Sequence, residues 1–198
     1  NFEATQKGEK YVFDEPVLFA TLGDNSFEGE YSVAGQEFKV EVTEFMPNPK
    51  EKMVDDDEGL PTLKVVIGGA NGREEYYVKQ GTRSRIRGTL FNFTTLEMPN
   101  AFNIKYENDE LFAKASVDYK QTVMASQTQS TLEAGVYHPL KLRSLYNNGR
   151  QSFVFGQFSP NARVKMISES EKMTSTSMGG IRVKVTNGDQ VQEQLIFG

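Results

Sequence analysis

Apolar and polar residues alternate with a period of two along most of this chain, and helical periodicity is nearly absent. The alternation is clearest in residues 38–42, 63–67 and 181–185, where apolar side chains occupy every second position. Because successive side chains of a β-strand point to opposite faces of a sheet, such runs predict strands with one face in a core and the other in solvent. The pattern therefore predicts an all-β chain with little helix.

Turn-forming residues separate the apolar runs at short intervals. They occur as Ala34-Gly35, Asn71-Gly72, Asn108-Asp109, Asn147-Asn148-Gly149 and Asn187-Gly188. Asn, Asp and Gly accept the positive φ angles of tight hairpin turns, so each group predicts a β-hairpin. Five hairpins predict an antiparallel, hairpin-rich sandwich or an open barrel, and we expect residues 1–198 to form one domain that can contain two sub-sheets.

Three polar stretches interrupt the alternation. Residues 46–61 combine proline, glycine and a run of acidic residues, which predicts a long exposed loop. Residues 126–136 predict a loop or one short helix, and residues 169–180 predict a mobile loop before the last hairpin.

The composition narrows the classes of function. The net charge is −5 and the pI about 5.1, whereas a protein that tracks phosphates needs a basic surface, so we expect no nucleic-acid partner. The absence of cysteine excludes disulfides, thiolate metal sites and cysteine nucleophiles. No apolar run reaches the roughly 18 residues that span a bilayer. The start at Asn1 and the apolar last residues, 194–198, lead us to expect a segment of a longer polypeptide.

Two groups of residues are candidates for metal or cofactor binding. The first is the run Asp55, Asp56, Asp57 and Glu58, which could bind calcium but lacks EF-hand spacing, so a solvated charged loop is the preferred interpretation. The second is His138, the only histidine, which could act as a single axial haem ligand or a general base. A capped or half-buried structural histidine is the alternative. No catalytic set is recognisable, so we expect the domain itself to be non-catalytic.

Basic residues cluster at two places and are candidates for partner binding. In a strand, Arg83, Arg85 and Arg87 would share one face and form a positive strip that could meet a carboxylate-bearing partner or haem propionates. Lys141 and Arg143 form the second cluster. A solvent-facing surface, paired with the many acidic residues, is the alternative interpretation.

Aromatic residues are frequent at strand positions predicted to face inward. Core packing is the default role of such residues, although some could line a groove for an extended peptide or an apolar cofactor. They are Phe91, Phe93, Phe102, Tyr106, Phe112, Phe153, Phe155 and Phe158.

Three segments together carry a resemblance to a known family. They are TLKVVIGGANGREEYYVKQG (62–81), VYHPLKLRSLYNNGRQSFVFGQFSP (136–160) and GGIRVKVTNGDQVQEQLIFG (179–198). The chain resembles the extracytoplasmic ResB-like domain of bacterial System II cytochrome c biogenesis proteins. It is most similar to the branch in which ResB-like and CcsA-like parts are fused in one membrane polypeptide. The resemblance runs over most of the chain, more clearly after residue 45.

The resemblance implies a periplasmic scaffold or chaperone domain that is tethered to the cytoplasmic membrane. Its implied partners are apocytochrome c and a CcsA-like membrane domain of the same or a partner chain. Haem would belong to the parent complex, which attaches it to the two thiols of a Cys-x-x-Cys-His apocytochrome. The family's haem-ligating residues cannot be carried over to this chain. An exposed sheet edge could accept the apocytochrome by strand addition.

A second class of function explains the all-β pattern and the acidic pI equally well. A secreted or cell-surface sandwich module could bind carbohydrate or protein. Sugar-binding platforms usually present exposed Trp or Tyr, and the absence of Trp counts against the carbohydrate version. A hydrolase is the least favoured of the three hypotheses, because no catalytic set can be assembled from the sequence.

Overall fold

The computed structural model describes residues 27–69, 72–169 and 178–197, together with the backbone of two strands near the start of the chain. Every regular element in these residues is a β-strand. The all-β prediction is therefore confirmed. No helix in the described part of the chain is long and apolar enough to cross a membrane.

The contacts within the chain divide it into two compact units. The sequence predicts one domain that can contain two sub-sheets. Residues 1–52 and 166–198 form one unit, here called the terminal unit, and residues 53–165 form the central unit. The terminal unit contains β1 (Phe2–Gln6), β2 (Glu9–Phe13), β3 (Phe27–Val33), β4 (Gln36–Pro47), β16 (Gly179–Asn187) and β17 (Gln190–Phe197).

The central unit holds the remaining strands, of which the first and last extend beyond its bounds. These strands are β5 (Pro49–Gly69), β6 (Gly72–Lys79), β7 (Arg83–Ile86), β8 (Thr89–Asn92), β9 (Phe102–Glu107), β10 (Glu110–Lys114), β11 (Tyr119–Val123), β12 (Gln129–Leu132), β13 (His138–Pro139), β14 (Ser144–Asn147) and β15 (Ser152–Ser168).

The terminal unit is built on an antiparallel four-stranded sheet in the order β17-β16-β4-β3, and β1 pairs with β2 separately. The predicted alternation is present here, because Val40, Val42 and Val183 are buried and lie next to one another across β4 and β16. Ile181 and Val185 are partly buried against them.

The central unit is a β-sandwich. A five-stranded sheet in the order β13-β10-β9-β8-β7 packs on a six-stranded sheet in the order β12-β11-β14-β15-β5-β6, with one core between them. Leu63, Val65 and Ile67 of β5 all face this core, as the period of two predicts. Of the two predicted architectures, the sandwich is the observed one.

Phe102 lies at the centre of this core, with its ring 5.2–6.0 Å from five other aromatic rings. Those rings belong to Phe91, Tyr119, Tyr146, Phe153 and Phe155. Most of the predicted aromatic core is therefore present, with Tyr106 and Phe158 partly buried at its margin. Phe112 is also partly buried, but it lies outside this cluster.

All five predicted hairpin pairings are present: β3–β4, β5–β6, β9–β10, β14–β15 and β16–β17. Asn108 and Asp109 have φ angles of 52° and 62°, the two positive values that a tight two-residue hairpin turn requires. Asn71 lies outside the described residues, and the described pairing of β5 with β6 ends at Gly69 and Gly72.

The predicted loop at 46–61 is wrong, because β4 ends at Pro47 and β5 begins at Pro49. The acidic run lies on β5 beside basic residues of β15. Asp56 pairs with Arg163 and Lys165 at 3.4 and 3.3 Å, and Glu58 pairs with Arg163 at 2.7 Å. Cross-strand charge compensation thus replaces the apolar pattern that usually marks a strand.

The other two polar stretches have different outcomes. Residues 126–136 contain the short strand β12 and no helix, so the predicted short helix is absent and part of the predicted loop is a strand. The predicted mobile loop at 169–180 lies largely outside the described residues, and β16 begins at Gly179.

One strand pair departs from the antiparallel expectation, because β8 and β9 run parallel. Asn92 and Asn103 are register partners there, and the Asn92 side-chain amide donates to Asn103 Oδ1 at 2.7 Å. Asn103 also accepts from Met98 N–H and donates to its carbonyl oxygen, at 2.9 and 3.0 Å. These bonds close the short connection between the two strands, where parallel pairs usually need a longer crossover.

Candidate partner-binding groove

A shallow groove of about 650 Å³ lies on the outer face of the six-stranded sheet, which is the face turned away from the sandwich core. We call it the groove throughout. Its floor is formed by Val66 and Gly68 of β5, Val154 and Gly156 of β15, and Leu145 of β14. All of these positions alternate with core-facing residues of the same strands.

The floor is apolar because, on three adjacent strands, apolar residues occupy outward-facing positions as well as core-facing ones. Val66 lies between the buried Val65 and Ile67, and Val154 lies between the buried Phe153 and Phe155. Leu145 is the register partner of Val154 and remains 36% exposed. A polar outward face is the usual arrangement, so these partly exposed apolar side chains make the groove a candidate surface for binding a partner.

Two glycines keep this floor low. Neither Gly68 nor Gly156 has a positive φ angle, so the backbone does not require glycine at either position. A Cβ at Gly68 would meet nothing within 4 Å, and one at Gly156 would lie 3.3 Å from Val66 Cγ2. Glycine within a strand often marks a place where another group approaches the sheet closely.

The rim of the groove is basic. Arg73 of β6 lies on one side, and Arg143, which directly precedes β14, lies on the other. Lys64 is compensated by Glu75, with Nζ and Oε1 2.9 Å apart. Within the residues that the structure describes, no acidic side chain forms an ion pair with Arg73 or Arg143. Among the described residues, these two guanidinium groups therefore have no acidic partner, in a chain whose net charge is −5.

The backbone holds Arg143 in an unusual conformation. Its φ angle is 53°, in the left-handed region that non-glycine residues rarely adopt. Its N–H donates to the Phe155 carbonyl at 2.7 Å, and its carbonyl accepts from Met124 N–H at 3.1 Å. These bonds tie the residue to its neighbouring strands and place it at the rim.

The preceding residues are positioned by a buried tyrosine. The Tyr146 hydroxyl accepts from Lys141 N–H at 2.8 Å and donates to the Lys141 carbonyl at 3.1 Å. It also accepts from Gln121 Nε2 at 3.0 Å. Burial raises the pKa of Tyr146 to about 12, so the hydroxyl keeps its proton at neutral pH. Lys141 is thus held by its backbone, two residues before Arg143, while its side chain is exposed.

The other predicted basic cluster lies on the opposite sheet. Arg83 and Arg85 are exposed on β7, which is an edge strand of the five-stranded sheet. The predicted strand position of Arg87 is wrong, because β7 ends at Ile86 and Arg87 has a φ angle of 47°. Its guanidinium binds both carboxylate oxygens of Glu74 and lowers the pKa of that carboxyl group. Arg87 therefore has an internal partner.

His138 lies on β13, opposite Ala113 of β10, and is partly buried. Its Nε2 atom accepts a hydrogen bond from Glu133 N–H at 3.1 Å. The Nε2 lone pair is therefore engaged by a backbone N–H in this arrangement. The contact closes the turn before β13, which corresponds to the structural interpretation of this histidine.

The acidic run has partners of its own. Beside the ion pairs of Asp56 and Glu58, Asp55 accepts a hydrogen bond from the Ser159 hydroxyl at 2.7 Å. In the part of the chain that the structure describes, no group of three or more His, Cys, Asp or Glu side chains could hold a metal ion.

Of the predicted basic residues and His138, only Arg143 lines the groove, and of the predicted aromatic residues only Phe153 does. Sequence reasoning missed Arg73, the two floor glycines and the outward valines. One signal was available for the valines: the runs 65–67 and 153–155 contain three consecutive apolar residues, so one apolar side chain in each must face outward. Comparison with known proteins finds no match among family models, curated proteins or solved structures.

Proposed function

We propose that this chain is a holding domain that binds an extended segment of a partner protein in the groove. The observation that carries the proposal is an apolar floor between Arg73 and Arg143, neither of which forms an ion pair within the described part of the chain. The floor and rim residues on which the proposal rests are valine, leucine, glycine and arginine, which contact a partner through apolar packing and charged hydrogen bonds. The activity that this surface supports is therefore association.

The two parts of the groove contribute differently to binding. Covering the partly exposed apolar floor removes it from water, which stabilises a complex by roughly 25 cal/mol for each Å² of apolar surface buried. A guanidinium forms bidentate hydrogen bonds with a carboxylate and orients the partner. Arginine is also enriched among the few residues that dominate binding energy at interfaces.

The resemblance to ResB-like domains supplies the partner in this proposal. The domain would lie on the periplasmic side, tethered to the cytoplasmic membrane, and would hold apocytochrome c near a CcsA-like membrane domain. An unfolded apocytochrome exposes apolar side chains that match the floor. Haem attachment would take place in the parent complex, and no residue of this chain is assigned to haem.

The alternative of a carbohydrate-binding module has less support. Sugar rings stack on exposed aromatic faces, and the one aromatic residue that lines the groove, Phe153, is 2% exposed. A secreted module that binds protein would use the same groove, so the identity of the protein partner is what the experiment must decide.

The test measures binding of fluorescently labelled apocytochrome peptides that together cover Cys-x-x-Cys-His and the segments on both sides of it. We expect Arg143→Ala to weaken binding about tenfold, which is about 1.4 kcal/mol. Arg83→Ala is the matched control, because it removes an exposed arginine from the other sheet and should leave affinity unchanged. Equal effects of the two substitutions, or no binding by the unmodified domain, would refute the proposal.

A further inference from the structure

We infer that the groove selects an extended segment in which a large apolar residue is flanked by carboxylates two positions away on each side. The pattern is acidic-x-apolar-x-acidic. This inference rests on the proposed function in taking the occupant to be a protein segment. Beyond that function, the inference specifies which sequences the groove accepts and which part of a partner stays outside the groove.

The apolar position of the pattern follows from the shape of the floor. Gly68 and Gly156 leave a depression, and Val66 and Val154 supply apolar contacts beside it. Met124, which is 50% exposed, forms part of the wall, and its unbranched side chain can adapt to different shapes. Aromatic side chains commonly cover glycines in β-sheets, so a large apolar side chain is the fitting occupant.

The acidic positions follow from the rim. Arg143 precedes β14 and Arg73 lies on β6, and the sheet order places β15 and β5 between those strands. Perpendicular to the strands, three inter-strand spacings separate the two backbones by roughly 14 Å. An extended segment that crosses the strands rises about 3.3 Å per residue, so positions i−2 and i+2 are about 13 Å apart.

The geometry of an extended chain makes these three positions act together. Residues i−2, i and i+2 of an extended segment point to the same side, so all three can face the groove at once. The Lys64–Glu75 pair is internally neutral and leaves Arg73 and Arg143 as the charges that meet the carboxylates. A segment with basic residues at the same positions would meet like charges instead.

The selectivity has a consequence for the way a partner is held. The defined residues of Cys-x-x-Cys-His include no carboxylate and no large apolar side chain. The groove would therefore hold an apocytochrome by a segment outside this motif, which leaves both thiols free for haem attachment in the parent complex.

The experiment compares three labelled peptides of equal length, with the central patterns Glu-x-Phe-x-Glu, Gln-x-Phe-x-Gln and Lys-x-Phe-x-Lys. Fluorescence anisotropy measures the affinity of each for the intact chain. We expect the Glu peptide to bind at least tenfold more tightly than the Gln peptide, and the Lys peptide more weakly than both. In the double variant Arg73→Glu with Arg143→Glu, the order of the Glu and Lys peptides should reverse.

A second variant tests the depression in the floor. Gly68→Val fills open space and introduces a residue that favours strands, so the melting temperature should stay the same or rise. Binding of the Glu peptide should fall at least tenfold. Thr131→Val is the matched control, because it adds the same side chain to an exposed position of β12 in the same sheet. Unchanged binding by Gly68→Val would overturn the inference.

The outcomes separate this inference from the proposed function. If the three peptides bind equally while the apocytochrome peptide still depends on Arg143, the selectivity is wrong and the holding function stands. If the peptides follow the predicted order but no apocytochrome peptide binds, the groove is selective for a different protein. Equal peptide affinities without reversal in the double variant would refute the inference.

Discussion

Arg143 combines a costly backbone conformation with a side chain that has no ion-pair partner among the described residues. A non-glycine residue in the left-handed region is destabilised by roughly 1–2 kcal/mol. Its guanidinium recovers none of this cost through an internal ion pair, unlike that of Arg87, which binds Glu74. Strained residues concentrate at functional sites, so this combination favours a binding role.

Substitution of Arg143 by glycine separates stability from binding. Glycine adopts a φ angle of 53° without strain, but it also gains freedom in the unfolded chain. We expect Arg143→Gly to leave the free energy of unfolding unchanged or to raise it by up to about 1 kcal/mol in urea titrations. Peptide binding should weaken as in Arg143→Ala. Destabilisation by Arg143→Gly would mean that the guanidinium supports the fold.

Among the elements, β14 connects the core to the groove. Tyr146 on this strand packs against Phe102 and Phe153 on the core side, while its hydroxyl holds the backbone at Lys141. Leu145, the preceding residue, forms part of the groove floor. The same short strand therefore places one side chain in the core and the next in the candidate site, and the turn before it carries Arg143.

Removal of the Tyr146 hydroxyl should loosen this connection. Tyr146→Phe leaves the Lys141 N–H and the Gln121 amide without their acceptor, and a buried unsatisfied group costs about 1–3 kcal/mol. We expect a loss of that size in urea titrations, together with weaker peptide binding. Tyr119→Phe, another buried tyrosine of the same core, is the comparison, and its binding should stay closer to that of the unmodified chain.

The shifted pKa of Tyr146 makes the free energy of unfolding depend on pH. Its folded-state pKa of about 12 lies above the ordinary value of 10.0, because burial disfavours the ionised phenol. The folded state therefore holds the proton more tightly, and the associated stability is present below pH 10 and lost as the pH rises towards 12. Tyr146→Phe should show a smaller loss of stability over that interval, and an equal loss would contradict the assignment.

Local signals explain which elements could be predicted from sequence. Asn108 and Asp109 adopt positive φ angles because of their own chemistry, so the β9–β10 hairpin is readable from a few residues. The strand through the acidic run is different, because Arg163 lies more than 100 residues from its partner Glu58. Proline, glycine and charge at 46–61 are typical of loops, and the neighbouring strand β15, which supplies the cations, is distant in the sequence.

The groove could be predicted only in part for the same reason. Three consecutive apolar residues reveal that Val66 and Val154 face outward on their own strands. Their meeting on one face depends on the sheet order, which places β14, β15, β5 and β6 side by side. Arg73 and Arg143 are 70 positions apart, and nothing in either local sequence indicates a shared site.

At the scale of the whole molecule, the charge of the chain and the charge of the groove have opposite signs. The net charge of −5 repels an acidic partner at long range, whereas Arg73 and Arg143 attract its carboxylates at contact. The two effects respond differently to salt. The Debye length is about 30 Å at 0.01 M, about 10 Å at 0.1 M and about 3 Å at 1 M ionic strength.

This difference predicts that affinity for the Glu-x-Phe-x-Glu peptide passes through a maximum as salt increases. From 0.01 to about 0.1 M, screening removes the long-range repulsion while close guanidinium–carboxylate pairs persist, so binding should strengthen by a few-fold. Towards 1 M the contacts themselves weaken and affinity should fall again. The Gln-x-Phe-x-Gln peptide lacks the carboxylates and should show neither change. Anisotropy titrations at five salt concentrations measure both curves, and a steady decrease from 0.01 M for the Glu peptide would mean that the local basic field outweighs the net charge at every distance.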